Sequence, residues 1–297
     1  EPWTDVRDVI SANWKVLGEP GVLNAIHADV GLDRVENGAF GANLPVGTYL
    51  VVATNDSMTA TSPVQRLTIR EGQTTRITPA LPKPSSLRYR VTDGLGHLLE
   101  AKLMLVSREG DEMATGDGLR RPSMGEGRIG NGVRHLTVSA SGHGAIEIEP
   151  GDYRLFVTHG PTYSRAEVDI SVPPGGEFVA QVTLQKEVDT TGWIGFDAHL
   201  HAEPSFDSGM KLDRRIISAV AEGLELAVST DHDVVTDYRP TIAALGLQDR
   251  IKSAIGIELS TVETGHFIAF PLEYDELDIP DHNAPEWICK DGQEIMD

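Results

Sequence analysis

Two hydrophobic periods divide the chain near residue 188. Before it, apolar and polar residues alternate in short runs separated by Gly- and Pro-rich turns, the pattern of half-buried β-strands. After it, strand-like and helix-like segments alternate. Leu212, Ile216, Val220 and Leu224 recur every four residues and predict one apolar helical stripe. Leu226-Ala227-Val228-Ser229-Thr230 reads as a buried strand, Asp237 to Leu245 as a second helix, and Ile251 to Ile257 as the next strand. The apolar run Trp193-Ile194-Gly195-Phe196 leads into a first strand. A β-α-β-α-β order implies parallel strands with functional groups gathered at their C-terminal ends. At the start of the chain, Val6, Val9, Ile10 and Trp14 keep an approximate helical period until Gly18-Glu19-Pro20-Gly21 breaks it, which predicts a short leading helix or arm.

The alternating region contains a repeat. Pro45-Val46-Gly47-Thr48-Tyr49 leads into Leu50-Val51-Val52-Ala53, and Pro150-Gly151-Asp152-Tyr153 leads into Arg154-Leu155-Phe156-Val157. Gly47 and Tyr49 lie 104 positions before Gly151 and Tyr153, and Leu67, Ile69, Gly72 and Leu81 lie 103 positions before Ile170, Val172, Gly175 and Leu184. A shared order of turn, strand, turn and strand predicts two related β-sandwiches of about 80 to 100 residues each. The two prolines of Pro82-Lys83-Pro84-Ser85-Ser86 deny regular pairing and set a boundary. The expected division is 1–82 for the arm and first sandwich, 83–187 for the second sandwich, and 188–297 for the α/β part. Gly110 to Gly132, rich in Gly, Arg and acidic residues, reads as a long excursion from the second sandwich.

Composition is that of an ordinary globular protein, so disorder and fibrous architectures are not expected. No apolar run approaches the roughly 18 residues of a membrane span. The net charge of −20 is uneven: from Asp189 onward there are 22 acidic and 7 basic residues, which leaves that part at −15. Such a surface repels phosphate backbones, and nucleic acid is not an expected partner. The single cysteine, Cys289, excludes an intrachain disulfide and reads as a packing residue beside Trp287 and Ile288.

The chemistry lies at the ends of the C-terminal strands. In an extended segment alternate side chains share a face, so Asp197, His199 and His201 are expected to point the same way. Asp207 follows in the next loop; Thr230-Asp231-His232-Asp233 closes the second strand and Gly256-Ile257-Glu258 the third; His266 opens Phe267-Ile268-Ala269-Phe270. Four histidines with several carboxylates at one rim exceed what a single closed zinc site needs and point to a multinuclear centre, with a carboxylate such as Glu258 bridging ions. His27, His97, His135, His143 and His159 have no second histidine at ligand spacing and read as surface or satisfied core residues.

The D-x-H-x-H, T-D-H-D and G-I-E strand ends and the G-H-F-I-A-F segment resemble the PHP (polymerase and histidinol phosphatase) family. The stretch H-L-H-A-E-P-S-F-D-S-G followed by A-E-G-L-E-L-A-V-S-T-D-H-D is most similar to the carbaryl-hydrolase-type (CehA/McbA) metallohydrolases. The Pro-x-Gly-x-Tyr turn of the β blocks resembles carboxypeptidase regulatory-like and related immunoglobulin-like modules. These resemblances imply a multidomain chain of two all-β sandwiches followed by an incomplete α/β PHP-type barrel, a distorted relative of the TIM barrel. They imply two or three divalent ions (Zn, Mn or Fe) held by His199, His201, Asp207, His232, Glu258 and His266, with Asp197 and Asp231 orienting their neighbours. The later family motifs, a His-Pro ligand and an Asp-x-His pair, are absent. About 110 residues cannot close a barrel that needs at least ~200, so a fragment is expected, completed by a missing C-terminal segment or another subunit.

The expected activity is metal-dependent hydrolysis of a small phosphoester or carboxyl- or carbamate-ester substrate by metal-bound hydroxide. No G-x-S-x-G nucleophile elbow competes with it. The rival is a non-catalytic binding or surface protein whose sandwiches engage a partner and whose metal site is vestigial or structural. Paired sandwiches in front of a catalytic domain point to a periplasmic or secreted location.

Overall fold

Strand β5 (Ser85–Thr92) buries Leu87, Tyr89 and Val91 and turns Arg88 and Arg90 outward, and this alternation is the pattern of the central body. The computed structural model describes residues 32–35, 39–42, 44–51, 59–60, 62–63, 65–108, 133–261, 265–274, 287 and 290–296. The expected leading helix, the whole Gly110 to Gly132 excursion and Cys289 lie outside them.

The central body is a two-sheet sandwich. Strands β6 (Ala101–Ser107), β7 (Val133–Ser139), β9 (Gly151–Thr158) and β10 (Ala166–Val172) form one sheet in the order β10-β9-β6-β7. Strands β5, β8 (His143–Ile148) and β11 (Glu177–Thr183) form the other in the order β11-β5-β8, with β11 parallel to β5. Leu87, Val91, Ile148 and Leu184 meet Leu103, Leu105, Leu155 and Val157 in a dry core contributed by both layers.

Ahead of the sandwich the described residues form two hairpin ladders, β1 (Leu32–Val35) with β2 (Ala39–Ala42) and β3 (Gly47–Val51) with β4 (Gln65–Ile69). Tyr49 stands opposite Leu67 in the β3–β4 ladder, and Tyr153 stands opposite Ile170 in the β9–β10 ladder.

The C-terminal part is built on the parallel strands β12 (Phe196–Leu200), β13 (Leu226–Ser229) and β14 (Lys252–Ile255), in that order across the sheet. Helix α1 (Leu212–Ala221) buries Ile216 and Val220, with Leu212 and Leu224 at the margin of the same cluster, so the four-residue stripe faces inward. Helix α2 (Arg239–Ala244), with Pro240 in its first turn, packs Ile242 into that cluster.

After β14 the chain does not begin another β/α unit. Gly256 turns it into the antiparallel hairpin β15 (Ile257–Thr261) and β16 (Gly265–Ala269). A side chain at Gly256 would meet the carbonyl of Ala269 at 2.8 Å and Val228 at 2.9 Å, so only glycine lets the hairpin cross this close to β13. A short helix α3 (Gly292–Met296) follows.

The expected PHP-type barrel is therefore corrected. The described residues are predominantly β: a seven-stranded sandwich, a three-stranded parallel sheet and separate hairpins, with no barrel among them. The apolar run that leads into β12 is exposed at Trp193, Ile194 and Phe196, and β12 is an edge strand of its sheet among the described residues.

The sandwich and the α/β part pack directly on one another. Helix α1 lies against β6 and β7. Lys102 pairs with Glu222, and the Arg250 guanidinium pairs with the buried Glu100. Gly160, in the turn after β9 with φ of 64°, abuts the backbone carbonyl of Glu222 so closely that a side chain has no room there.

Candidate metal centre

The rim where β12 and β13 end is held by side-chain bonds to backbone. Thr230 accepts the Leu200 amide on its hydroxyl at 2.8 Å, and its own amide donates to the Leu200 carbonyl at 3.0 Å. The Asp231 carboxylate accepts the Ala202 amide at 2.6 Å. Asp233, in the left-handed region at φ 53°, donates its amide to the Glu258 carbonyl and accepts the Ser260 amide at 2.9 Å on its carboxylate. These bonds set His232 directly beside Glu258, where the two residues form an isolated parallel bridge.

Glu258 is the centre of the cluster. One carboxylate oxygen lies 2.8 Å from His199 Nε2, 3.0 Å from His201 Nε2 and 3.5 Å from His232 Nε2; the other lies 2.9 Å from His266 Nδ1. Asp207 reaches in from the loop, 3.6 Å from His201 Nδ1 and 3.6 Å from His232 Nε2. His199–His201–Glu258, His201–Asp207–His232 and His232–Glu258–His266 each bring three possible ligand atoms within 4.8 Å of one another. A tetrahedral ion with bonds of ~2.1 Å sets its donor atoms ~3.4 Å apart. The imidazole–carboxylate separations here run from hydrogen-bond length, 2.8 Å, to 3.6 Å, so the shorter ones need open by only about half an ångström to take an ion. The donor set therefore fits divalent ions of the zinc, manganese or iron type.

The protonation states favour the same use. Burial pushes the Glu258 carboxyl up, but hydrogen bonds with His199 and His266 and the charge of His232 outweigh it and hold the group below its ordinary value. The hydrogen bond from Ser205 keeps Asp207 low. Burial, opposed by Asp207 and Glu258, leaves the His201 imidazole below its ordinary value and hence neutral near pH 7. Ionised carboxylates with a neutral imidazole are the forms that bind a cation.

Several neighbours orient the ligands. Ser260 Oγ engages His232 Nδ1 at 2.6 Å and leaves Nε2 facing the carboxylates. Ser205 Oγ lies 3.2 Å from His201 Nδ1 and donates to Asp207 at 2.6 Å. Asp231 is fully buried, pushed up by that burial, and receives the Tyr238 hydroxyl at 3.3 Å.

Neither the family models nor the curated proteins return the expected family: no family model matches the chain, and no curated protein does. Among matching solved structures are the Streptococcal ancillary pilin (20% identity, TM-score 0.27, covering 50% of this chain and 44% of that one) and the major pilin subunit of Bacillus cereus (16%, 0.24, 48% and 40%). A third is the shaft pilin SpaA of Lactobacillus rhamnosus GG (19%, 0.23, 53% and 68%). The chain spans less than half the length of the first two. The expected PHP membership, and with it the enzyme and its small ester substrate, is corrected accordingly. The TM-scores are too low to carry the pilin fold or role across to this chain.

Within the site, the structure brings six expected side chains together: His199, His201, Asp207, His232, Glu258 and His266. Asp197 is not among them. The β12–β13 register slips between Asp197 and Leu200, a bulge that breaks strict alternation, and the Asp197 carboxylate accepts the His199 amide at 2.9 Å instead. Ser205, Ser260 and Tyr238 carry no signal in sequence, since serine and tyrosine acquire a role here only through what the fold sets beside them. The scattered histidines stay apart from the cluster: His97 sits on Asp93, His143 on the Ser141 carbonyl, and buried His135 against the Glu149 amide. His27 lies outside the described residues.

Proposed function

We propose that this chain is a non-catalytic binding protein in which divalent metal ions cross-link the C-terminal part beside a β-sandwich that engages a partner. The observation that carries the reading is where the donors come from. His199 belongs to β12, His201 and His232 follow β12 and β13, and Glu258 and His266 sit on β15 and β16. One set of ions would thus tie the parallel sheet to a hairpin whose own core is small: Val235, Ile255, Ile257 and Leu259 are its buried apolar members. Metal ligation is folding free energy in such a setting, because the unfolded chain has no preformed site. His199 and His266 are half-exposed, which leaves coordination positions open to a donor from outside the chain.

Among the described residues no helix is long and apolar enough to cross a membrane. An exported, periplasmic or secreted location accords with the reading and is checked by cell fractionation.

Two measurements test the proposal on the full chain. Equilibrium dialysis against zinc or manganese should show binding that His199→Ala abolishes or weakens at least tenfold, with a higher unfolding temperature for loaded than for chelator-stripped protein. Metal-loaded protein should not hydrolyse a chromogenic phosphodiester or carboxyl ester. Metal-dependent turnover that disappears in His199→Ala would overturn the non-catalytic reading, and a folded protein that takes up no metal would overturn the cross-link.

A further inference from the structure

A cavity of about 420 Å³ lies along the seam between the sandwich and the α/β part, away from the histidine cluster. Its wall comes from both sides: His159, Tyr163 and Lys186 from the sandwich and its outgoing chain, and Trp193, Glu225 and Asp249 from the C-terminal part. The volume is that of a small-molecule site, enough for a mono- or disaccharide.

The polar groups around it are unevenly committed. Arg250 and Glu100 pair with each other, and Lys186 donates to Thr190 at 2.8 Å. Glu225 accepts the Gly195 amide at 3.1 Å. By contrast, the carboxylate-bearing Asp249, which also lines the cavity, is an exposed residue. Trp193 stands at the mouth with 79% of its surface exposed, unusual for the largest apolar side chain.

These features specify the ligand's chemistry. Cancelling Arg250 against Glu100 leaves Lys186 facing Glu225 and Asp249, a surplus of one negative charge that disfavours a phosphate or sulfate. An exposed indole beside carboxylates and a tyrosine suits a molecule with an apolar C–H face ringed by hydroxyls that both donate and accept. We infer that the seam cavity is a binding site for a neutral saccharide, with the sugar ring stacked on Trp193 and its hydroxyls taken by Asp249 and Tyr163. This gives the proposed binding protein a second ligand class, and it stands independently of the metal centre.

The test is calorimetric titration of the full chain with maltotriose, cellotriose and tri-N-acetylchitotriose as neutral probes and a heparin trisaccharide as the anionic one. At least one neutral probe should bind. Trp193→Ala and Asp249→Ala, both at exposed positions outside the core, should each weaken that binding about tenfold or more, while His199→Ala leaves it unchanged. Binding of none of the neutral probes, binding of the anionic probe alone, or affinity unchanged in both seam variants would each overturn the inference. Loss of sugar binding in His199→Ala with the seam intact would assign the ligand to the metal centre instead.

Discussion

Tyr49 and Tyr153, 104 residues apart, close the same loop: each hydroxyl donates to the backbone carbonyl four residues earlier, Pro45 at 2.7 Å and Glu149 at 2.8 Å. Both side chains are buried and each follows a glycine two positions back; a side chain at Gly151 would crowd the Tyr153 ring at 3.2 Å, whereas one at Gly47 would meet Tyr49 at an ordinary 3.5 Å. Tyr153→Phe keeps the ring and removes the bond, leaving the Glu149 carbonyl without it. The expected cost is about 1–2 kcal/mol, read as a lower urea midpoint with unchanged slope.

The two corners differ in one respect with a pH consequence. Pro45 has no amide hydrogen, whereas the Glu149 amide donates to His135 Nε2 at 3.1 Å. Burial first, and Arg134 second, push the His135 imidazole down to about 4 from 6.5. The unfolded chain therefore binds this proton more readily than the folded one. Stability from this group is fully present above pH ~6.5 and is lost as pH falls toward 4, by about 3 kcal/mol in all. Urea titrations at pH 7 and pH 5 should show this loss, and His135→Gln should remove that share of it.

If ions occupy the cluster, Ser260 acts on them through His232. Ser260→Ala removes the partner of His232 Nδ1 and frees the ring to turn. Metal affinity should fall about 10- to 100-fold with the apo fold unchanged, measured by competition with a chromogenic chelator and by far-ultraviolet circular dichroism.

Gly160 controls how closely the sandwich approaches α1. Gly160→Ala forces a side chain into the Glu222 carbonyl and holds an L-residue at φ 64°. Destabilisation of at least about 1 kcal/mol is expected, accompanied by weaker saccharide binding at the seam. The equivalent change at Gly192, where a side chain meets nothing, should leave the seam in place apart from its backbone strain.

Much of the local structure was legible because it depends on neighbours in sequence. The Leu212–Leu224 stripe, the run 226–230 and the Pro/Gly turns each point to their element. That His266 joins Glu258 was legible from the chain turning back after it, although the hairpin sets His266 opposite Ser260, diagonal to Glu258 and not directly beside it. The bulge between Asp197 and Leu200 was not, since alternation is read from a regular strand and a one-residue slip depends on how β13 pairs. The exposure of Trp193 and Phe196 was not legible either: apolar character shows in sequence, whereas an edge position is decided by which strands lie alongside. The family resemblance rested on short ligand motifs spaced along a line, and such motifs do not fix the topology that carries them.

Because the donors straddle the parallel sheet and the β15–β16 hairpin, loss of a bound ion and the opening of that hairpin would be a single event. The ion would act as a latch, and amide hydrogens from Ile257 to Ala269 would exchange at a rate governed by free metal concentration. A protein built this way carries a record of the cation supply around it in the looseness of one hairpin, while the sandwich stays indifferent.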